Sequence, residues 1–215
     1  MARKLAIALG AIFFLALVIM LLLRSVEKAP PPAGAAVDPS VLARFHSPSL
    51  GDANARVHIV EFMDPACETC REFHPFVKQM MEANPGRIRL SIRYAPFHKG
   101  SEDIVRLLEA AKKQGRFWQT LEALFAAQPR WVINHMARLE LAWPAVQGLG
   151  LDLDRLKQDM KAPEHTQVIR QDIADGVTLN VTKTPEFFVN GRPLPRFGHE
   201  ELETLVREAL REAYR

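Results

Sequence analysis

A seven-residue, nearly all apolar run, VHIVEFM (Val57 to Met63), leads within seven positions to the two cysteines of the chain, Cys67 and Cys70, and these open a segment with helical spacing. A run that is β-branched, aromatic and apolar at nearly every position suits a central strand buried on both faces. A helix through Phe73, Phe76, Val77 and Met80 follows. RIRLSIRY (Arg87 to Tyr94) alternates polar and apolar residues, which predicts a second strand with one dry face. A strand, a helix and a strand of this length imply a parallel pair joined by a right-handed crossover. The cysteines therefore fall at a strand-to-helix corner.

Beyond that unit the signals turn helical from Ser101 to about Leu179. Ile104, Leu107, Leu108 and Ala111 form one stripe with Gly115 as its stop, and Phe117, Leu121, Leu124 and Phe125 form the next. Later helices are expected from Asp152 or Asp154 and near Pro163, the last running through Val168, Ile169, Ile173 and Val177. EFFVNGRPL then predicts a strand, an Asn190-Gly191 turn and a short return strand limited by Pro193 and Pro195. A closing helix from about His199 carries Leu202, Leu205, Val206 and Leu210 inward.

Ahead of all this, every residue from Leu5 to Leu23 is apolar or glycine. At 1.5 Å per residue the run reaches roughly 28 Å, close to the ~30 Å hydrocarbon thickness of a bilayer. A cleaved signal peptide is the rival reading, but its apolar core is shorter, about 7 to 15 residues, and is followed closely by a small-x-small site. Here Arg24, Glu27 and Lys28 follow instead, and the nearest Ala-x-Ala is Ala33 to Ala35. An uncleaved anchor is the expectation, with release after cleavage as the alternative. Arg3 and Lys4 bias the N-terminus inward and place the rest of the chain outside the cytoplasm.

These signals divide the chain into an anchor over 1–28, a flexible Pro/Ala-rich tether over 29–50 and a folded domain over 51–215, entered through the turn-rich Ser47 to Arg56. Residues 1–28 hold four of the 28 Lys and Arg and one of the 25 Asp and Glu, so 24 of each remain in the rest. With no net charge left on the domain, nucleic acid is excluded as a partner on electrostatic grounds.

Two cysteines two residues apart allow several chemistries. Zinc needs two further ligands, and the seven histidines lie scattered from His46 to His199 without a pair at i, i+3 or i+4. A covalent haem site needs histidine after the second cysteine, where Arg71 stands. A structural disulfide closing so short a loop stabilises little. A redox pair fits the strand-to-helix context best. If Cys67 caps the helix, unsatisfied N–H groups and the dipole favour its thiolate and make it the attacking sulfur, with Cys70 one turn on as the resolving thiol. Glu61, inside the apolar strand, is a carboxylate whose burial would raise its pKa toward neutrality, suited to exchanging protons with Cys70.

VEFMDPACETCREFHPF together with TKTPEFFVNGR resembles the thioredoxin superfamily, and the helical insertion resembles its DsbA-like branch of thiol-disulfide oxidoreductases. The likeness runs from about Gly51 to Arg215. It implies an α/β class, a thioredoxin fold with an inserted helical subdomain over about 101–179, here preceded by the single transmembrane helix and tether. It further implies Cys67 as nucleophile, Cys70 as resolving thiol, Glu61 as proton relay, and Thr184-Pro185 as a cis-proline loop that faces the cysteines and binds substrate backbone. Lys183 stands where relatives often have glycine, and Pro75 corresponds to the family's kink proline. His74 and the aromatic residues Phe117, Trp118, Phe125 and Trp131 read as packing residues.

Protein thiols and disulfides are the implied partners, together with a membrane redox partner. The implied setting is the bacterial inner membrane, spanned by residues 5–23, with the domain in the periplasm. No cofactor is expected beyond the Cys67-Cys70 disulfide, and no metal. Glu68 and Thr69 lie between the cysteines and tune the couple, and a carboxylate beside Cys67 opposes its ionisation. With Thr184 before the proline this leans toward a reductase or isomerase; a dedicated oxidase is the alternative. A tethered Cu(I) or peptide chaperone is the non-enzymatic alternative, disfavoured for copper because the chain lacks a Met or His cluster beside the motif.

Overall fold

The computed structural model describes Val37 and residues 39–215; the span over Leu5 to Leu23 and the first part of the tether lie outside the described residues. Among the described residues no helix is long and apolar enough to cross a membrane. In chain order the elements begin with α1 (Pro39–Leu42), β1 (Ser49–Gly51), β2 (Val57–Met63), α2 (Glu68–Glu82) and β3 (Ile88–Tyr94). The helical insertion holds α3 (Ser101–Lys113), α4 (Phe117–Trp131), the small hairpin β4 (Val132–Ile133) and β5 (Met136–Ala137), α5 (Leu139–Val146), α6 (Leu153–Asp159) and α7 (Pro163–Thr178). The chain closes with β6 (Glu186–Val189), β7 (Arg192–Pro193) and α8 (His199–Ala213).

The main sheet runs β1-β3-β2-β6-β7. β2 and β3 are parallel in the register Val57 to Ile88 through Met63 to Tyr94, joined by α2, as the strand, helix and strand pattern predicts. On its other edge β2 meets β6 antiparallel, with Glu61 opposite Phe187. The Asn190-Gly191 turn has positive φ at both residues, 47° and 81°, the geometry that asparagine and glycine tolerate in a two-residue hairpin. β2 is thus the central strand, buried along nearly its whole length.

Three expectations need correction. β3 does not have a single dry face, because Ser91 and Arg93 are as buried as its apolar residues. The fully buried Arg93 guanidinium donates to Asp172 and Asp175 of α7 and to the carbonyls of Val41 and Leu42. The polar side of the alternation is therefore covered, by polar partners. For the same reason the inward stripe of α7 is not the apolar one read from its spacing. His165, Ile169, Asp172, Asp175 and Gly176 face inward, while Ile173 and Val177 are exposed. Carboxylates occupy that face because Arg93 needs counter-charges once it leaves water.

The third correction concerns the tether, whose C-terminal part is packed rather than free. Leu42 is buried with Val60, Phe62 and Phe188, Arg44 pairs with Asp175, and His46 Nε2 lies 2.7 Å from Asp172. β1 extends the sheet from β3 through Ser49, whose hydroxyl meets that of Ser91 at 2.7 Å. Residues Val41 to Leu50 thus belong to the fold. The aromatic residues of the insertion behave as expected, with Phe117, Phe125 and Trp131 in the core and Trp118 packed against it.

Candidate active site

The C-terminal end of β2 delivers the chain to Asp64, and the backbone turns so that Cys67 becomes the N-cap of α2 with extended φ and ψ of −76° and 121°. An N-cap side chain meets the unsatisfied N–H groups of the first turn. Here the Cys67 sulfur accepts the N–H of Cys70 at 3.4 Å. From the opposite side the loop before β6 brings the Thr184 carbonyl to 3.3 Å, where it accepts the Cys67 S–H. The Thr184-Pro185 peptide is cis. Residues 117 positions apart thus meet at one sulfur.

The two cysteines differ in exposure and in proton affinity. Cys67 is 6% exposed and Cys70 fully buried, both as free thiols. Hydrogen bonding from Cys70 lowers the Cys67 thiol to about 6; burial works against this, while Thr184 and the N–H groups of Cys70 and Thr69 work with it. Burial pushes the Cys70 thiol well above its ordinary value, reinforced by its hydrogen bond to Cys67 and by the charges of Glu61 and Cys67. Glu61 lies on β2 at 1% exposure, and among the described residues neither carboxylate oxygen has a hydrogen-bond partner. Burial first, then the nearby Cys67 charge, raise its pKa to about 8. Desolvation favours the neutral acid.

Several residues around the motif escaped the sequence reading. Asp64, fully buried, accepts the N–H of Ala66 and the Ser101 hydroxyl on one oxygen, and the N–H and Nδ1 of His98 on the other, all within 2.8 Å. Gln128 of α4 reaches in from the insertion and donates to the carbonyls of Pro65 and Cys67 at 2.9 and 3.0 Å. Asp64 stood in the motif but had no visible partner, since His98 and Ser101 lie more than thirty positions away. His74 is buried, packs near Trp118 and Phe125, and has its pKa lowered by burial.

Glu68 opens α2, about half exposed, with Oε1 3.6 Å from Nδ1 of His135 at the tip of the β4–β5 hairpin. The expectation of no histidine cluster beside the motif is corrected here: His98 and His135 both come to Glu68, from loops that the local spacing could not connect. Toward the Thr184-Pro185 loop the surface is apolar and cationic. Phe197 is partly exposed, packs on Phe73 and lies under the Lys183 ammonium, 5.1 Å from the ring centre.

A family described as thioredoxin matches residues 45–208. Among solved structures, a thioredoxin-like oxidoreductase from Silicibacter pomeroyi is 30% identical, covering 82% of this chain and 99% of that one, with a TM-score of 0.71. BdbD from Bacillus subtilis shares the fold at 22% identity and a TM-score of 0.71, covering 83% of this chain and 99% of its own. Alpha-DsbA1 from Wolbachia pipientis shares it at 19% and 0.69, covering 80% and 94%. Among curated proteins, a Na(+)/H(+) antiporter NhaA from Herminiimonas arsenicoxydans is 30% identical over 165 residues, 77% of this chain and 26% of that protein. The chain spans about a quarter of the length of the curated relatives it matches.

Proposed function

The chain belongs to the thioredoxin family and has the DsbA-like architecture of a thiol-disulfide oxidoreductase, and from that premise we propose that it exchanges disulfides with protein substrates through Cys67 and Cys70. In the oxidising direction a substrate thiolate attacks Cys67 Sγ of the Cys67-Cys70 disulfide. The S–S bond breaks, and Cys70 leaves as a thiolate that takes a proton. A second substrate thiolate then attacks the substrate sulfur of the mixed disulfide, which yields a substrate disulfide and the reduced pair. Reduction runs the same steps backward, with Cys70 resolving the mixed disulfide.

The observation that carries this reading is the split between the sulfurs, with Cys67 at the helix N-terminus ionising at about 6 and Cys70 buried and pushed far up. Glu61, held protonated near neutrality, supplies or takes the Cys70 proton. Thr184 and Pro185 bind substrate backbone beside Cys67, as the Thr184 carbonyl at the sulfur supports. Glu68 and Thr69 tune the couple, Thr69 through its N–H and Glu68 through its charge. A nucleophile at about 6 falls between the roughly 7 of a reducing thioredoxin and the roughly 3.5 of a strong oxidase. The couple is accordingly less oxidising than a dedicated oxidase and suited to isomerisation or reduction.

The domain works on the periplasmic side of a bacterial inner membrane, tethered by residues 5–23 and served by a membrane redox partner. Two things support this placement: the apolar run and the basic residues before it. The decisive experiment is trapping with Cys70→Ser, which should accumulate mixed disulfides through Cys67. Cys67→Ser should form none and lose insulin reduction, whereas a peptide chaperone would keep its activity without either sulfur. In cells, a pair found mostly oxidised by thiol alkylation would reject the reducing or isomerising direction.

A further inference from the structure

Three side chains from three separate elements converge beside the cysteine loop. Glu68 is the first residue of α2, His98 follows β3, and His135 sits at the tip of the β4–β5 hairpin. One ligand atom of each lies within 4.8 Å of those of the other two. A surface ion pair between Glu68 and His135 would account for their proximity, at 3.6 Å, but for nothing else in the arrangement.

The scaffold behind the three is specific. The buried Asp64 carboxylate takes the Nδ1–H of His98 at 2.7 Å and is itself fixed by Ala66 and Ser101. That leaves Nε2 as the ring's lone-pair nitrogen, and a carboxylate behind an imidazole is the arrangement that orients metal-ligating histidines. His135 is held in the left-handed region at φ 58°, after Asn134 at φ 51°, so the two-residue turn fixes where its ring leaves the hairpin. The hairpin is docked in turn onto the His98 loop, since the Ala137 N–H donates to the Lys99 carbonyl at 2.9 Å. Gly100 permits this approach, because a Cβ there would lie 2.4 Å from the Ala137 carbonyl oxygen.

We propose that Glu68, His98 and His135 form a binding site for a divalent ion of the zinc class, with two imidazoles and one carboxylate as ligands and one coordination position open. Imidazole and carboxylate together suit Zn2+ at about 2.0 to 2.2 Å, so the ligands need to draw together from their present separation. Glu68 and His135 are about half and four-fifths exposed and can rotate to do so, while Asp64 keeps His98 in place.

The test is calorimetric titration of the Cys67→Ser/Cys70→Ser protein with Zn2+, which removes the thiols as competing ligands; should that variant not fold, the disulfide form of the natural chain replaces it. One equivalent should bind with a Kd of about 10 μM or tighter. His135→Asn, which tolerates the left-handed turn, and Glu68→Gln should each weaken binding at least about tenfold. Both replace exposed side chains, and circular dichroism checks that the fold persists. Absence of saturable binding, or binding unchanged by His135→Asn, overturns the site.

Discussion

Cys67 and Cys70 carry the same thiol in two settings: the first accepts helix N–H groups at a partly open corner, while the second is wrapped in apolar side chains one turn further on. Iodoacetamide modification of reduced protein should follow a single ionisation with its midpoint at about pH 6, from Cys67, while Cys70 stays unreactive until the protein unfolds. Mass spectrometry of the labelled peptide assigns the site. Glu61 makes the opposite demand on solvent. Its folded pKa of about 8 is raised above the ordinary 4.5, so its contribution to stability is present below pH 4.5 and lost as pH rises through 8. Glu61→Gln should therefore gain on the natural chain by roughly 3 to 4 kcal/mol between pH 4.5 and pH 8, read from urea unfolding at the two values. These residues were legible from the sequence because the strand, the cysteines and the helix are contiguous. Asp64, His98, His135 and Gln128 were not, because each acquires its meaning from a partner between 34 and 67 positions away in the chain.

At the level of elements, the sheet explains which sequence patterns were informative. β2 reads correctly as central, since a short run that is apolar at nearly every position suits a strand buried on both faces. The pattern of β3 predicts a wet face, and it becomes a dry one with an internal ion cluster, because α7 supplies Asp172 and Asp175 from some eighty residues downstream. Periodicity records which residues are polar and does not record whether their partners are water or protein. Arg93→Met should cost roughly 3 to 5 kcal/mol in urea unfolding by leaving two buried carboxylates short of counter-charge. Gln128→Leu should cost about 1 to 3 kcal/mol by orphaning the carbonyls of Pro65 and Cys67. Its effect on the Cys67 titration curve would show how far the insertion holds the redox corner in place.

For the whole molecule, the ion cluster gives an acid limit. Burial alone would raise Asp175, but Arg44 and Arg93 hold it down at about 2, below its ordinary 3.8. Its stabilisation is present above pH 3.8 and drains away as pH falls through 2, so acid unfolding should steepen in that window and move upward in the Arg44→Met variant. The segment ahead of β1 belongs to the same unit. Deletion of residues 1–50 should lower the melting temperature well below that of a chain beginning at Val37, because it strips Leu42 from the core and Arg44 and His46 from their carboxylates.

The order of synthesis gives the central strand a particular history. β2 pairs with β3 almost at once, but its other neighbour, β6, lies some 130 residues later, and so does the Thr184 carbonyl at the Cys67 sulfur. Until β6 has been made, one edge of β2 is unpaired and the Cys67 sulfur is uncovered on a growing chain. The arrival of β6 thus does two things together: it pairs the open edge of β2 and brings the Thr184 carbonyl to the Cys67 sulfur.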